Sequence, residues 1–374
     1  MNAFPYHSTD MDDDILWSTI KGGLIISNRK LKTQQILTDS VGLFHNGVSS
    51  TYYNKFGHTI WATTLAGISK IENNSLRYFG SLEGLKGIVY HAKRFKGILY
   101  VATDNGLYKQ VFLSYGTKFV KCDDLQDYTI YTLSIIKNGK SEDFWIGTDR
   151  GIFSIKNKKV PIIKDITPEV ILQSKNENLV YIGSQKGLWI ANKENEVWKF
   201  KQVQKVNPDE WIVSLYEDND ENCWCTTSSN GVYQYNYTND EAKFYTTKQG
   251  LPTMSDISVF NYKNELLFST PQGIYKFNTS KNIFIPYYNF GNKLTENKRK
   301  IIWTIKGFNN QLFFNIENRL YLIKPYYDRF DIDSITFNRL PKLTIYSLFV
   351  EPNGITWIAT SEGLYSYNFY YKEV

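Results

Sequence analysis

The sequence predicts an all-β protein, a β-propeller built of four-stranded blades, and three observations lead to that prediction. The segment FWIGTDRGIFSI at 144–155 recurs along the whole chain. Its copies begin 36 to 46 residues apart, and a propeller blade of four strands needs about 40–50 residues. Aromatic residues, which favour strands, make up 16% of the chain. Nine copies are present, with anchors at Trp17, Trp61, Tyr100, Trp145, Tyr181, Trp224, Leu267, Phe313 and Trp357.

One copy contains a β-hairpin. Residues 144–147 alternate between two kinds of side chain, as a strand with two different faces does. Thr148 to Gly151 supply turn-forming side chains, and 152–155 form a second strand. Thr or Ser stands three residues after seven anchors, at Thr64, Thr103, Thr148, Ser184, Thr227, Thr270 and Thr360. The turn is therefore predicted to be shared by the copies.

Glycine ends the turn in eight copies, where a positive φ is expected. It stands six residues after the anchor at Gly23, Gly67, Gly106, Gly151, Gly187, Gly273 and Gly363, and one residue later at Gly231. The eighth copy has Arg319 instead, so Asn318 is predicted to adopt the left-handed conformation there.

Each blade is predicted to contain strands A to D in chain order, with the anchor in strand B. Strand A falls near 4–9, 48–53 and 212–216 in three copies, and strand D near 76–79, 197–200 and 243–245 in three. The segments 39–47, 80–87 and 246–253 connect strand D to the next strand A, and each contains a Gly-Leu pair. The whole chain, 1–374, is interpreted as one repeat array without an output or membrane domain.

In a propeller, the B–C turns and the D–A connections emerge on the same face. Loops carry recognition where strands carry the fold, so the variable turn positions are the candidate ligand-binding residues. Ordinary solvated turns are the alternative interpretation. The candidates are Asp104, Asn105, Asp149, Arg150, Gln185, Lys186, Asn230 and Gln272.

Blade number is left open by the sequence. The last copy ends before a fourth strand is complete, and few residues precede residue 4 that could supply it. A single ring of up to nine blades is one possibility, and a seven-bladed propeller plus extra repeats is the other. The second would fit a fragment of a longer protein.

Composition narrows the functional classes. The net charge of +6, from 43 basic and 37 acidic residues, comes without a long basic tract, which argues against nucleic-acid binding. No apolar run is long enough to span a membrane, and the N-terminal residues lack a secretory signal. The basic segments 156–164 and 298–300 are interpreted as solvated strand edges, with an anionic polysaccharide site as the alternative.

No catalytic signature and no cofactor site is recognised. Cys223 and Cys225 flank Trp224 and are expected to pack as small apolar groups, with a metal pair as the alternative. The acidic segments 10–14 and 217–221 fit Asx-type turns better than calcium loops. The four histidines show no metal-binding pattern. A carboxylate pair for glycoside cleavage stays open, because turn carboxylates are plentiful.

The repeat W-[IA]-[GA]-T-x-x-G-[LI], seen in FWIGTDRGIF and TWIATSEGLY, together with the Gly-Leu pairs, resembles the two-component regulator propeller repeat. The match spans essentially the whole chain. The resemblance implies the periplasmic sensor region of a bacterial receptor, of the kind found in hybrid two-component systems that sense glycan fragments. The triple-tyrosine domain, membrane helix and output module of such receptors do not occur in this sequence. A fragment, a split receptor and a free-standing binder, including a cytoplasmic one, are therefore all open.

The expected function is that of a non-enzymatic propeller that binds an oligosaccharide or another small polar ligand, without metal or other cofactor. Aromatic rings would stack on sugar faces and turn groups would bind hydroxyls. A protein partner or a signalling module on another chain is also expected. The alternatives are a protein-interaction scaffold and a carbohydrate-cleaving enzyme.

Overall fold

The computed structural model describes residues 5–368, apart from 12–13, 20, 29–33, 39–42, 44–45, 55–58, 65–66, 73–76, 114–115, 126, 140, 157, 263, 291–300, 307–311, 317, 327–328, 334–336, 338–339 and 352–354. The described residues form 35 β-strands and three short 3₁₀ turns, with no α-helix. Eight four-stranded antiparallel sheets and one three-stranded sheet result, numbered here as blades 1 to 9 in the order of the repeats. The predicted all-β propeller of four-stranded blades is confirmed.

The first four blades follow the chain closely. Blade 1 contains β1 (Pro5–Met11), β2 (Asp14–Thr19), β3 (Leu24–Asn28) and β4 (Gln34–Leu37). Blade 2 contains β5 (Val48–Asn54), β6 (Thr59–Thr64) and β7 (Gly67–Glu72), and β8 (Arg77–Phe79) follows it in the chain. Blade 3 contains β9 (Val89–Phe95), β10 (Ile98–Thr103), β11 (Gly106–Leu113) and β12 (Gly116–Lys121). Blade 4 contains β13 (Ile130–Asn138), β14 (Ser141–Thr148), β15 (Gly151–Ser154) and β16 (Ile163–Lys164).

The remaining blades repeat the pattern. Blade 5 contains β17 (Pro168–Gln173), β18 (Leu179–Ser184), β19 (Gly187–Glu194) and β20 (Val197–Gln202). Blade 6 contains β21 (Ile212–Glu217), β22 (Asn222–Thr227), β23 (Val232–Asn236) and β24 (Glu241–Tyr245). Blade 7 contains β25 (Ser258–Tyr262), β26 (Glu265–Thr270), β27 (Gly273–Asn278) and β28 (Ile283–Pro286). Blade 8 contains β29 (Ile301–Lys306), β30 (Leu312–Ile316), β31 (Arg319–Tyr326) and β32 (Arg329–Asp333), and blade 9 contains β33 (Ile345–Val350), β34 (Ile355–Thr360) and β35 (Gly363–Asn368).

Every anchor lies in the second strand of its blade, from Trp17 in β2 to Trp357 in β34. The anchor strands with described side chains are almost wholly buried; in β14, for example, Phe144, Trp145 and Ile146 are buried. Burial of such side chains contributes about 1.5–3 kcal/mol each, so the anchor strands supply a large part of the core.

The fourth strand of blade 9 comes from the N-terminal part of the chain, directly after blade 2. Strand β8 (Arg77–Phe79) pairs antiparallel with β35, with Phe79 opposite Leu364. The sequence prediction that 76–79 completes its own blade is therefore wrong for 77–79, and Leu76 lies outside the described residues. Phe79 packs on Phe119 and on Trp357, each with ring centroids 5.6 Å apart, so its apolar contacts hold β8 between blades 9 and 3.

Seven hydrophobic clusters join blades 3 to 9 in a closed cycle. Each consecutive pair of blades shares one cluster, and the cluster of Phe79, Val89, Leu99 and Trp357 joins blade 9 to blade 3. Another cluster, with Leu24, Val48 and Ile60, joins blades 1 and 2. Among the described residues, these clusters thus connect seven of the nine blades in one cycle and the first two blades to each other.

Buried ion pairing reinforces the closure of the ring. Arg94 of blade 3 donates to Oε1 of Glu351 in blade 9 from Nε at 2.9 Å and from Nη2 at 2.6 Å. The indole Nε1 of Trp357 donates to the same oxygen at 2.6 Å. Because Glu351 is buried, these charge-assisted bonds replace the water that its carboxylate loses on folding.

Candidate functional site

The B–C hairpin turns share one hydrogen-bonding device. In blade 4, the Thr148 hydroxyl donates to the Gly151 carbonyl at 2.9 Å and accepts from the Arg150 amide at 3.1 Å. The same pair of bonds is made by Thr103, Ser184, Thr227, Thr270 and Thr360. The hydroxyl therefore fixes the turn backbone, and the two residues at its tip point outward. The predicted sharing of this turn is confirmed.

Positive φ angles occur where the sequence predicts them. Gly151 has φ +132°, and Asn318 takes the left-handed conformation in the eighth copy with φ +60°. A Cβ on Gly151 would lie against the carbonyl oxygen of Ile163 in the outer strand, well inside van der Waals contact. Glycine is required there both by its dihedral angles and by the close approach of β16.

The turns are tied to the D–A connections. The Asp149 amide donates to the carbonyl of Thr129 at 3.0 Å, and the Ser361 amide donates to that of Thr344 at 3.0 Å. Because Thr129 and Thr344 each precede an inner strand, the B–C turns and D–A connections emerge on one face, as predicted. This face is called the mouth.

Four of the eight predicted site residues lie in the turns of blades 3, 6 and 7, and their side chains bind neighbouring segments. Asp104 Oδ1 accepts from the Ile88 amide at 2.8 Å, and Asn105 Oδ1 accepts from Lys121 Nζ at 2.9 Å. Asn230 Nδ2 donates to the Glu210 carboxylate at 3.0 Å, and Gln272 Nε2 donates to the Pro252 carbonyl at 3.2 Å. These four side chains position the loops around the mouth.

The other four lie in two neighbouring turns. Asp149 and Arg150 approach each other to 3.9 Å, and the Arg150 guanidinium lies 5.1 Å from the centre of the Tyr128 ring. Lys186 Nζ donates to the Asp165 carbonyl at 3.3 Å. Gln185 Nε2 donates to Glu169 Oε1 at 2.9 Å, which links this turn to the start of an inner strand.

A β-bulge begins most of the inner strands. The register skips one residue after Val89, Ile130, Pro168, Ile212 and Ile345. A bulge residue has no partner in the ladder and its side chain is turned out of the normal alternation. In these five strands the bulge residues are Tyr90, Tyr131, Glu169, Val213 and Tyr346.

Three of these bulge residues form a row of tyrosines across blades 9, 3 and 4. The Tyr90 ring lies 5.0 Å from the Tyr346 ring and 5.5 Å from the Tyr131 ring. All three are half-buried. Burial and the Asp104 carboxylate raise the pKa of Tyr90, and burial and the Glu169 carboxylate raise the pKa of Tyr131. The phenols of Tyr90 and Tyr131 are therefore neutral at pH 7 and can donate as well as accept hydrogen bonds.

Glu169 continues the row into blade 5. Its carboxylate accepts a hydrogen bond from Gln185. Burial raises the pKa of Glu169, although Gln185 and the nearby indole of Trp211 oppose the shift. Trp211 leaves 43% of its surface exposed beside this carboxylate. Rings with polar edges next to a carboxylate suit a polyhydroxylated ligand, which presents C–H faces and hydroxyl groups.

Sequence reasoning did not identify Tyr90, Tyr131, Glu169, Trp211 or Tyr346. Their distance from the anchor varies because the A–B turns differ in length: ten residues for Tyr90, fourteen for Tyr131 and eleven for Tyr346. One signal was available. Each tyrosine directly follows an aliphatic residue that begins strand A, in the pairs 89–90, 130–131 and 345–346.

The segments considered for metal binding have other roles. Asp218 accepts from the amides of Asp220 and Asn222, each at 2.9 Å, and from the Trp224 indole at 2.7 Å. This is the predicted Asx-type arrangement; Asp12 and Asp13 of the other acidic segment lie outside the described residues. Among the residues that the structure describes, no group of three or more His, Cys, Asp or Glu side chains could hold a metal ion.

Cys223 and Cys225 pack together as predicted, with their sulfurs 3.7 Å apart in the buried cluster between blades 5 and 6. Of the four histidines, His91 makes a hydrogen bond within the described structure: its Nδ1 accepts from the Leu133 amide at 3.0 Å. In the basic segment 156–164, Lys158 pairs with Asp124 at 2.9 Å, and its last two residues form the outer strand β16. The segment 298–300 lies outside the described residues.

Comparisons with known proteins concern the fold. No family model matches the sequence, and no curated protein sequence is similar to it. The extracellular domain of the putative hybrid two-component system BT3049 from B. thetaiotaomicron is 15% identical, with a TM-score of 0.70 over 98% of this chain and 51% of that chain. The corresponding domain of BT4673 is 16% identical, with a TM-score of 0.58 over 97% of this chain and 52% of that chain. This chain therefore spans about half the length of both.

An enzyme also has this fold. Virginiamycin B lyase from Staphylococcus aureus is 13% identical, with a TM-score of 0.55 over 79% of this chain and 99% of that chain.

Among the described residues there is no helix with the length and hydrophobicity that crossing a bilayer requires. The chain thus has the propeller fold of the extracellular domains of putative hybrid two-component systems, the family that its repeats resemble.

Proposed function

We propose that this chain is a non-enzymatic, ligand-binding propeller of the sensor type, which binds a glycan or another small polar ligand at the mouth of the ring. The row Tyr346, Tyr90 and Tyr131 carries this proposal. It presents three half-buried rings, each with a hydroxyl group, at equivalent positions of adjacent blades. Rings of this kind stack on the C–H faces of sugars while their hydroxyls bind sugar oxygens.

Glu169 and Trp211 extend this surface with an acceptor and an exposed ring. The eight turn residues predicted from the sequence would form the rim, because they lie at the same end of the blades. Gln185, one of these turn residues, donates a hydrogen bond to Glu169 and so connects the rim to the row of bulge residues. In this arrangement the turn residues determine the shape of the entrance, and the bulge residues bind the ligand.

The extracellular domains with this fold support a location outside the cytoplasm, and the repeat resemblance supports a role in sensing. A protein partner or a signalling module on another chain would carry the response to the ligand.

The test is a screen of neutral and acidic oligosaccharides by thermal shift, followed by calorimetry with those that stabilise the protein. Tyr90→Ala and Tyr131→Ala should each weaken binding at least about tenfold, since loss of one stacking ring removes roughly 1.4 kcal/mol or more. Tyr52→Ala is the matched control, because Tyr52 is 64% exposed in blade 2.

Equal affinity in wild type and both mouth variants would contradict this site. New reducing ends in the same mixtures would contradict the non-enzymatic role. Absence of binding to every oligosaccharide, combined with capture of a specific protein partner, would favour the interaction scaffold instead.

A further inference from the structure

A polar groove of about 460 Å³ lies between blades 6 and 7. It is lined by the A–B turn around Asp218 and by the C–D turn at Thr279 and Ser280. In an antiparallel blade these turns lie at the opposite end from the B–C turn. The groove is therefore on the face away from the mouth, and its size falls in the range of small-molecule sites, roughly 300–1,000 Å³.

Aromatic side chains form the floor of the groove. Tyr216 and Phe277 are half-buried, and Trp224 lies beneath them with its ring 4.9 Å from that of Phe277. The Trp224 ring is itself stacked on Tyr245, and its indole is bound by Asp218. Because these neighbours fix the rings, the floor is rigid before any ligand binds, which lowers the entropic cost of binding.

Two half-buried amides line the groove with free hydrogen-bonding groups. Gln234 Oε1 accepts from the Tyr245 hydroxyl at 3.1 Å, which leaves its Nε2 as a donor facing no protein acceptor in the described part of the chain. The Asn261 side chain likewise has no hydrogen-bond partner among the described residues. Partly buried amides without partners are costly unless a ligand or water satisfies them.

Charge restricts the class of ligand. The Asp218 carboxylate is already used by backbone amides and the Trp224 indole. Asp220 and Glu265 add negative charge, and Lys276, with Nζ 3.8 Å from Glu265 Oε1, is the only cation among the described residues that line the groove. This described lining is net negative, so phosphate, sulfate and carboxylate groups are disfavoured.

We propose that this groove binds a neutral or amine-bearing saccharide unit, independently of the mouth. One sugar ring would stack on Tyr216 and Phe277, while Gln234, Asn261 and Lys276 bind its hydroxyls. A basin of about 590 Å³ on the same face differs in its chemistry: among the described residues its lining contains Lys96, Lys137 and Lys156 with Glu142 and Glu177, and no aromatic side chain.

Calorimetry and saturation-transfer NMR with cellobiose, maltose and glucosamine test the proposal, with glucosamine 6-sulfate as the anionic comparison. At least one of the first three should bind more tightly than the sulfated sugar. Asn261→Ala and Lys276→Met should each weaken that binding fivefold or more. Unchanged melting temperatures would show that both variants are folded.

Two control variants separate the sites. Lys137→Ala changes the basic basin, and Tyr131→Ala changes the mouth; neither should alter binding in the groove. The proposal is overturned if none of the three sugars binds, if the sulfated sugar binds best, or if folded Asn261→Ala and Lys276→Met retain wild-type affinity. Loss of binding in Tyr131→Ala alone would assign the saccharide to the mouth and also overturn it.

Discussion

The B–C turns and the starts of the inner strands lie at the same end of the blades, yet they repeat in different ways. The turns repeat in their side chains: a Thr or Ser hydroxyl bridges to the following glycine in blade after blade. The strand starts repeat in their backbone, since a bulge recurs while its residue changes from Tyr90 to Glu169 or Val213. In a repeat protein, a constant side chain therefore marks the scaffold, and a constant backbone position with variable side chains marks a place for recognition.

The largest effect that would test this difference is expected at Gly151. Gly151→Ala combines a positive φ with a clash against the Ile163 carbonyl, so we expect a loss of at least ~3 kcal/mol in the free energy of unfolding. Gly97→Ala is the matched control, since Gly97 also has a positive φ of +81° but nothing within 4 Å of the added Cβ. It should cost only about 1 kcal/mol. Equal losses in chemical denaturation would remove the steric part of the explanation.

A smaller, pH-dependent effect is expected at the start of strand β9. Burial, with a smaller contribution from Lys93, lowers the pKa of His91 to about 3, and its Nδ1 accepts the Leu133 amide of the next blade. The unfolded chain binds a proton near pH 6.5 while the folded chain does not. His91 therefore contributes stability above pH 6.5 that is lost as the pH falls towards 3. At pH 5 the loss relative to pH 7 should be on the order of 2 kcal/mol.

His91→Ser supplies the control, because Ser214 and Ser347 occupy the equivalent position in blades 6 and 9. The variant should be less sensitive to acid between pH 7 and 5 in denaturation experiments. A pH dependence identical to that of wild type would show that protonation of His91 does not open the contact between blades 3 and 4.

The smallest effect is expected at the turn tips. Asp149→Ala, Arg150→Ala and Lys186→Ala combined should weaken ligand binding at the mouth less than threefold, because these side chains contact one another, Tyr128 and a loop carbonyl. Tyr131→Ala should weaken it at least about tenfold. Calorimetry on both variants shows which of them loses more affinity for the ligand. The reverse order would place recognition in the turns and leave the tyrosine row a packing feature.

Particular residues show how far the sequence could predict the structure. Asn318 in the left-handed conformation, the Asx-type turn at Asp218 and the packing of Cys223 on Cys225 followed from local rules. The tyrosine row did not, because a bulge depends on pairing with a neighbouring strand, and A–B turns of different length hide the equivalence of Tyr90, Tyr131 and Tyr346 in the sequence.

The sequence by itself determined the repeat, the strands and the chemistry of each turn, since these depend on side-chain alternation and hydrogen bonds within a few residues. Only the tertiary structure decided that β8 completes blade 9. A three-residue outer strand carries almost no information about its partner, because one antiparallel edge offers the same backbone groups as another. Packing of Phe79 between Phe119 and Trp357 determines the sheet edge with which β8 pairs, and this packing brings together residues from distant parts of the chain.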